Sequence, residues 1–182
     1  LKRHYVLPRK HGLWAVVFPS RAWSPGMQEW ENLTWAQQQG LPVPRAVAAG
    51  EFVGPHGHLQ SFIAIEELKD MLPLHEAVPL ASETLEASLF DRWKNSLSDE
   101  LVRLSIGFHG RHTFHKDWYF CHFYIDKDDT NSIPKEWAGR VRVIDLHRMG
   151  RHEQALHFAR EAVSQAEALG EDQGMTGGQA RV

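Results

Sequence analysis

The sequence has one cysteine, Cys121, among 182 residues. That excludes an internal disulfide framework and fits a reducing compartment. It also lacks an excess of positive charge. The formal balance is −3 with histidine neutral, which argues against a general nucleic-acid binder, since such proteins carry basic residues to neutralise phosphates. No apolar run approaches the ~18 to 20 residues needed to cross a bilayer, and the opening residues lack the apolar core of a signal peptide. The chain reads as soluble and cytoplasmic. What it does have is an ordinary globular composition, 42% hydrophobic and 24% charged, without the bias that signals disorder. Histidine is unusually common, with 12 in all. The length suits one domain with a real core, or two small lobes sharing one.

Pattern carries the rest. "LKRHYVL" reads as a first strand stopping before Pro8, and "GLWAVVF" (12–18) as a second strand or a segment packed against one. Ser24 followed by Pro25 is a helix start, because Ser accepts from the free amides of the first turn and Pro suits the first helical position. A helix is expected over about 25–39, with Met27, Trp30, Leu33 and Thr34 on one face and Gly40 closing it. The prolines of "LPVPRAVAAGEFV" (41–53) lead into a strand, "GPHGH" turns it, and "SFIAIEEL" (61–68) is a strand running into two carboxylates. Residues 82–110 read as helical, with Ser98 as a cap, an apolar stripe of Leu101, Leu104, Ser105 and Phe108, and an end at Gly110. "WYFCHFYI" (118–125) and "VRVIDL" (141–146) are strand candidates that can pair as a hairpin, bringing Asp117 and Asp145 to one pocket. Helical spacing returns over 151–169, and the Gly-rich last dozen residues read as a flexible tail.

The chemistry concentrates in "HGRHTFHKDWYFCH", which holds His109, His112, His115, His122 and Cys121. Zinc needs three or four such ligands converging tetrahedrally. This spacing, with no paired Cys and no His-Glu-x-x-His, makes a zinc-dependent hydrolase the weaker reading. A second feature is order along the chain: a lysine in the first strand, a glutamate on the next helix, a strand ending in acids, "HKD", then "VIDLH". A protein-kinase-like phosphotransferase requires that order.

These segments resemble the bacterial lipopolysaccharide core kinases, the heptose and Kdo kinase family, whose fold is a divergent protein-kinase fold. The resemblance is carried by "HKDWYFCHF" (115–123) and "VIDLHR" (143–148), with "LKRH" (1–4), "EWENL" (29–33), "PVPRAVAAGE" (42–51) and "SFIAIEEL" in support. It covers roughly residues 1–150 in the right order. It implies that Lys2 holds the phosphates of ATP, that Glu29 pairs with it, and that the "IEEL" segment with Glu67 forms the hinge at the adenine. It implies Asp117 as the catalytic carboxylate and Asp145 as the Mg2+ ligand. His122 stands where protein kinases have a metal-binding asparagine, although imidazole is a poorer Mg2+ ligand than an oxygen donor. His115 supports the loop, and Arg148 binds an acidic substrate group or pairs with a neighbour.

The expected fold is α+β, protein-kinase-like and two-lobed: a partial upper lobe over 1–68, a lower lobe with the catalytic loop over 69–170, and the tail over 171–182. The family's first strands precede the lysine, whereas here Leu1 does, and the sequence after Arg148 leaves the family pattern. Part of each lobe is therefore expected to be missing, with weakened nucleotide affinity. The implied activity is ATP- and Mg2+-dependent phosphorylation of a sugar hydroxyl, heptose above all, on a lipid-linked saccharide of the lipopolysaccharide core. Such an acceptor implies peripheral contact with the cytoplasmic face of the inner membrane and no nucleic-acid partner. The alternative of a different class is a catalytically silent kinase-like binding protein.

Overall fold

A computed structural model describes residues 1–4, 9–18 and 22–151. Three antiparallel strands, β1 (Lys2–His4), β2 (Ala46–Val53) and β3 (Leu59–Ile65), form a sheet in the order β1-β3-β2. Strand β3 alternates with period two, turning Leu59, Ser61 and Ile63 inward and Gln60 and Phe62 outward. Helix α2 (Pro25–Gln38) packs on the inward face. Its entry is tight: Gly26 N donates to Ser61 Oγ at 3.3 Å, and a Cβ on Gly26 would lie 2.9 Å from the Phe62 carbonyl oxygen. Glycine is needed there for close approach.

The N-terminus of α2 is capped by Ser24, whose Oγ accepts from Met27 N at 3.3 Å, with Pro25 next. Its buried face is Glu29, Asn32, Leu33 and Ala36, spaced i, i+3, i+4, i+7. Met27, Trp30 and Thr34 flank this face half-buried, so the true face is rotated from the one expected. Two of its four residues are polar because it looks onto a polar site.

Below the sheet, β4 (Met71–Pro73) leads into α3 (Leu74–Thr84), followed by α4 (Ala87–His109) and the short β5 (Thr113–His115). Strands β6 (Phe123–Asp126) and β7 (Arg142–Val143) join β4 in the order β4-β6-β7, while β8 (Met149–Arg151) pairs with β5. The core runs between them: Trp93, Leu97, Leu104 and Phe108 of α4 meet Phe123 and Ile125 of β6, with Val141, Val143 and Leu146 beside them. The Trp93 indole donates to Asp129 O at 2.7 Å, and Trp137 meets it edge-on at 5.8 Å, so the long β6–β7 excursion is pinned to α4.

The mixed α+β class is as expected, and so is the hairpin, with Phe123 opposite Val143 and Tyr124 opposite Arg142. Several local expectations are corrected. Residues 12–18 are not a strand but helical in the main, within α1 (Arg9–Val17), and it is the other alternative that holds, a segment packed against β2 and β3; Gly12 lets the helix sit on the β2–β3 turn, where a Cβ would run into the Gly57 carbonyl. The 82–110 segment is broken at Leu85, whose extended backbone separates α3 from α4. Ser98 is accordingly no cap but a mid-helix residue donating to Lys94 O at 2.8 Å. Residues 118–122 are not strand: Tyr119 N donates to Asp117 O and His122 N to Tyr119 O, closing turns that leave Tyr119 and Phe120 exposed. Strand β3 stops at Ile65, before the two glutamates, and β7 stops at Val143. The first strand spans only Lys2–His4 among the described residues. The expected helix over 151–169 and the tail lie outside the described residues, apart from Arg151 at the end of β8.

Candidate active site

Three elements converge on one ammonium group. Strand β1 carries Lys2, α2 carries Glu29 on its buried face, and the turn after β7 carries Asp145. The Lys2 Nζ lies 3.3 Å from Glu29 Oε2 and donates to Asp145 Oδ1. Asp145 adopts the left-handed region, φ 63° and ψ 47°, which ends β7 and turns its carboxylate toward the lysine. Asp tolerates that conformation better than most residues, yet it remains a mild strain of the kind found at functional sites.

The same turn supplies a residue that sequence reasoning passed over. His147 Nδ1 donates to Asp145 Oδ1 at 2.7 Å, and Glu29, Asp145 and His147 each offer one atom within 4.8 Å of the others. Asn32, one turn along α2 from Glu29, is the second omission. Its buried Nδ2 donates to Leu146 O at 2.7 Å and Met149 O at 3.2 Å, fastening the helix that holds Glu29 to the turn that holds Asp145. The signals were present: a histidine two residues after the acid in "VIDLH", and a polar residue three after Glu29 on an amphipathic helix.

The loop after β5 brings Asp117 to the same region. His115 is buried on β5, and its Nδ1 accepts from Asp117 N at 3.0 Å, so its proton resides on Nε2, directed at Ile144 O 3.4 Å away. The Asp117 carboxylate takes Arg148 Nη1 at 2.8 Å on Oδ1, and its Oδ2 makes no hydrogen bond among the described residues. His122 Nδ1 lies 2.6 Å from Asp117 O; a carbonyl only accepts, so this nitrogen carries the proton. In the neutral ring the other nitrogen, Nε2, therefore presents a lone pair 3.5 Å from Asp145 Oδ2.

The electrostatics follow. Asp145 is held far below the usual carboxylate range, first by the His147 hydrogen bond and then by Lys2. Glu29 is pushed up, because its burial, with the Asp145 charge nearby, outweighs the attraction of Lys2. Burial acts against the Lys2 ammonium too, but the two carboxylates outweigh it and raise its pKa. Burial pushes His115 down, and does the same to His4 with help from Lys2.

Of the residues singled out in the sequence, Lys2, Glu29, Asp145, His122, His115, Asp117 and Arg148 are linked by these contacts. Glu67 is not: it stands exposed on the stretch after β3 and has no contact with this group among the described residues. Nor do the zinc candidates assemble. His112 and Cys121 are exposed, and His109 stacks near Phe114 and Trp118.

A lysine held between a helix carboxylate and a turn carboxylate, with a third carboxylate on a neighbouring loop, is the arrangement of protein-kinase-type phosphotransferases. The family model "Lipopolysaccharide kinase (Kdo/WaaP) family" matches residues 20–163. The chain belongs to that family. It is 31% identical over 121 residues to the lipopolysaccharide core heptose(I) kinase WaaP of Pseudomonas aeruginosa, a match covering 66% of this chain and 43% of that protein. Its fold is similar to that of a solved structure, WaaP in complex with acyl carrier protein, with a TM-score of 0.54 and 27% identity over 70% of this chain and 51% of the other. The chain thus spans about half the length of the relatives it matches or less.

Proposed function

We propose that these residues form the transfer centre of a two-lobed, ATP- and Mg2+-dependent kinase acting on a sugar hydroxyl, a heptose, of the lipopolysaccharide inner core. The observation that carries this reading is the Lys2–Glu29–Asp145 trio with Asp117 beside it. Two carboxylates against one ammonium leave a negative excess, and the Asp145 Oδ2 and His122 Nε2 acceptors face each other across 3.5 Å with no proton between them in the neutral ring. That donor set fits a cation. Asp145 would hold Mg2+ with His122, the hard carboxylate oxygen being the stronger donor. When bound, Mg2+ would neutralise charge on the transferring phosphate.

The chain's own residues do the rest. Lys2 binds ATP phosphate oxygens, and Glu29, buried and fixed on α2, keeps its long stem in place. Asp117, its backbone fixed by His115 and His122, offers Oδ2 to orient the acceptor hydroxyl and take its proton as the phosphoryl group departs. Arg148, half-exposed, is placed to receive an anionic group of the acceptor. The lipid-linked acceptor sets the working location at the cytoplasmic face of the inner membrane.

The test is transfer of labelled γ-phosphate from ATP to a dephosphorylated lipopolysaccharide core by the complete gene product, beside Asp117→Ala and Asp145→Ala. Transfer abolished in both variants supports the reading. Folded protein with intact acceptor and no transfer above the variants would instead favour a silent kinase-like binding protein.

A further inference from the structure

The transfer centre leaves one surface unused. Helix α1 and the residue after it expose Leu13, Trp14, Val16, Val17 and Phe18 in near-continuous sequence. They surround the side of the helix opposite Ala15 and Gly12, which seat it on the body of the protein. The aromatic members are ordered among themselves: Trp14 stacks on Phe18 at 5.6 Å and on Trp23 at 6.1 Å. Charge is lopsided as well. Beside Lys2, which is engaged in the transfer centre, Arg3, Arg9, Lys10 and Arg21 all precede the first acidic residue, Glu29, in a chain whose formal charge is −3.

We infer that α1 is an interfacial membrane contact, its apolar side entering the headgroup boundary of an anionic bilayer, to which the basic excess of this stretch of sequence draws it. Tryptophan and phenylalanine backed by Lys and Arg are the composition that favours this depth. No helix among the described residues is long and apolar enough to cross a membrane, so the contact is peripheral. A second copy of the chain fits less well. The apolar side of a nine-residue helix is roughly 14 Å long and 10 Å across, far short of the ~800 Å² per partner of a stable protein interface. A bilayer imposes no such minimum, and a single weak anchor with basic support gives reversible binding. Because β1, which carries Lys2, leads into α1, docking there holds the transfer centre close to the lipid surface. The inference rests on the kinase reading for its purpose, presenting a lipid-linked acceptor, but vesicle binding needs neither ATP nor acceptor, so each can fail alone.

The experiment is flotation of the full chain with vesicles of phosphatidylcholine alone or mixed with phosphatidylglycerol. Leu13→Glu and Val16→Glu, at positions 63% and 64% exposed, are compared with Val102→Glu and Ile106→Glu on α4, 58% and 66% exposed. Binding should require phosphatidylglycerol, weaken with salt, and fall about tenfold or more for each α1 variant by loss of a buried aliphatic side chain. The α4 variants should bind as the wild type does, and thermal melts should match throughout. Brominated lipid should quench Trp fluorescence in the wild type and less in Trp14→Phe. Equal flotation of folded α1 variants and wild type, or equal binding to neutral vesicles, would overturn the inference. Light scattering that shows a dimer dispersed by the α1 variants, with no flotation, would also overturn it and assign the face to a second copy.

Discussion

Replacing Asn32 by Leu tests the fastening between α2 and the turn after β7. The side chain is 9% exposed and donates to two main-chain carbonyls, those of Leu146 and Met149, more than a hundred residues away in sequence. Leucine is close in size, so packing is little altered while both donors vanish. A buried acceptor left without its partner costs about 1 to 3 kcal/mol. The 2.7 Å bond to Leu146 counts fully and the 3.2 Å bond to Met149 partly, giving about 2 to 4 kcal/mol in all. That is a large part of the ~5 to 15 kcal/mol that holds a domain folded. Urea unfolding should show the loss as a lower midpoint at constant slope. Hydrogen exchange should show the 145–149 turn opening more readily than the α4 core. Asn32→Asp should be worse, since it turns a donor into an anion facing two carbonyls. A midpoint within about 0.5 kcal/mol of wild type, the range of an ordinary surface substitution, with unchanged exchange in the turn, would refute the reasoning.

Two further outcomes follow from the same geometry. Arg148→Ala frees Asp117 Oδ1; because the arginine side chain is 55% exposed, unfolding should shift by no more than ~1 kcal/mol, while KM for an acidic core acceptor rises more than kcat changes. An unchanged KM would remove Arg148 from acceptor binding. The second concerns pH. Burial lowers the folded pKa of His4, His109 and His115, so the unfolded chain binds more protons, and stability is present above the ordinary histidine value of about 6.5 and lost as pH falls through it. The urea midpoint should drop between neutral and mildly acid pH, and the drop should be smaller in His115→Gln. A flat midpoint in the wild type would contradict the assigned directions.

How much of this was legible in the sequence depended on whether a signal was local. The α2 helix announced itself through Ser24-Pro25 and Gly40, and the β6–β7 hairpin through two β-rich runs around a polar excursion. The seven linked site residues lay in short segments whose order along the chain was itself informative. Where the sequence misled, tertiary contacts overrode local preference. Aromatic and β-branched content made 12–18 look like strand, but a helix fits the Gly57 turn there through Gly12. The same preference over 118–122 lost to turns that fix the backbone of Asp117. For Asn32 the sequence carried only half of the signal, a polar residue three after Glu29 on an amphipathic helix; its partners, backbone carbonyls over a hundred residues away, no sequence pattern encodes. Glu67 was singled out only through the family resemblance, as part of a hinge whose backbone would meet adenine, and its exposed side chain beyond the end of β3 is compatible with that expectation.

The opposed environments of Glu29 and Asp145 fit the division of labour that the proposed kinase centre would need from two carboxylates around one lysine. Glu29 is nearly inaccessible and its charged form is disfavoured by burial, so it serves Lys2 and little else. Asp145 is more open, and its hydrogen bonds keep it ionised well into acid conditions. Its two oxygens also differ. Oδ1 is engaged by Lys2 and His147, whereas among the described residues Oδ2 lies 3.5 Å from His122 Nε2. The left-handed backbone at Asp145 presents both oxygens at once, one inward to the lysine and one toward His122. A cation at Oδ2 would thus leave the Lys2 contact in place, so lysine and metal need not compete for the same oxygen. An Asp145→Asn variant separates the two roles. Its amide still offers an oxygen to Lys2 but loses the charge, so Mg2+ affinity measured by calorimetry should fall more steeply than stability does. Equal affinity in Asn and Asp forms would mean that the metal is held elsewhere.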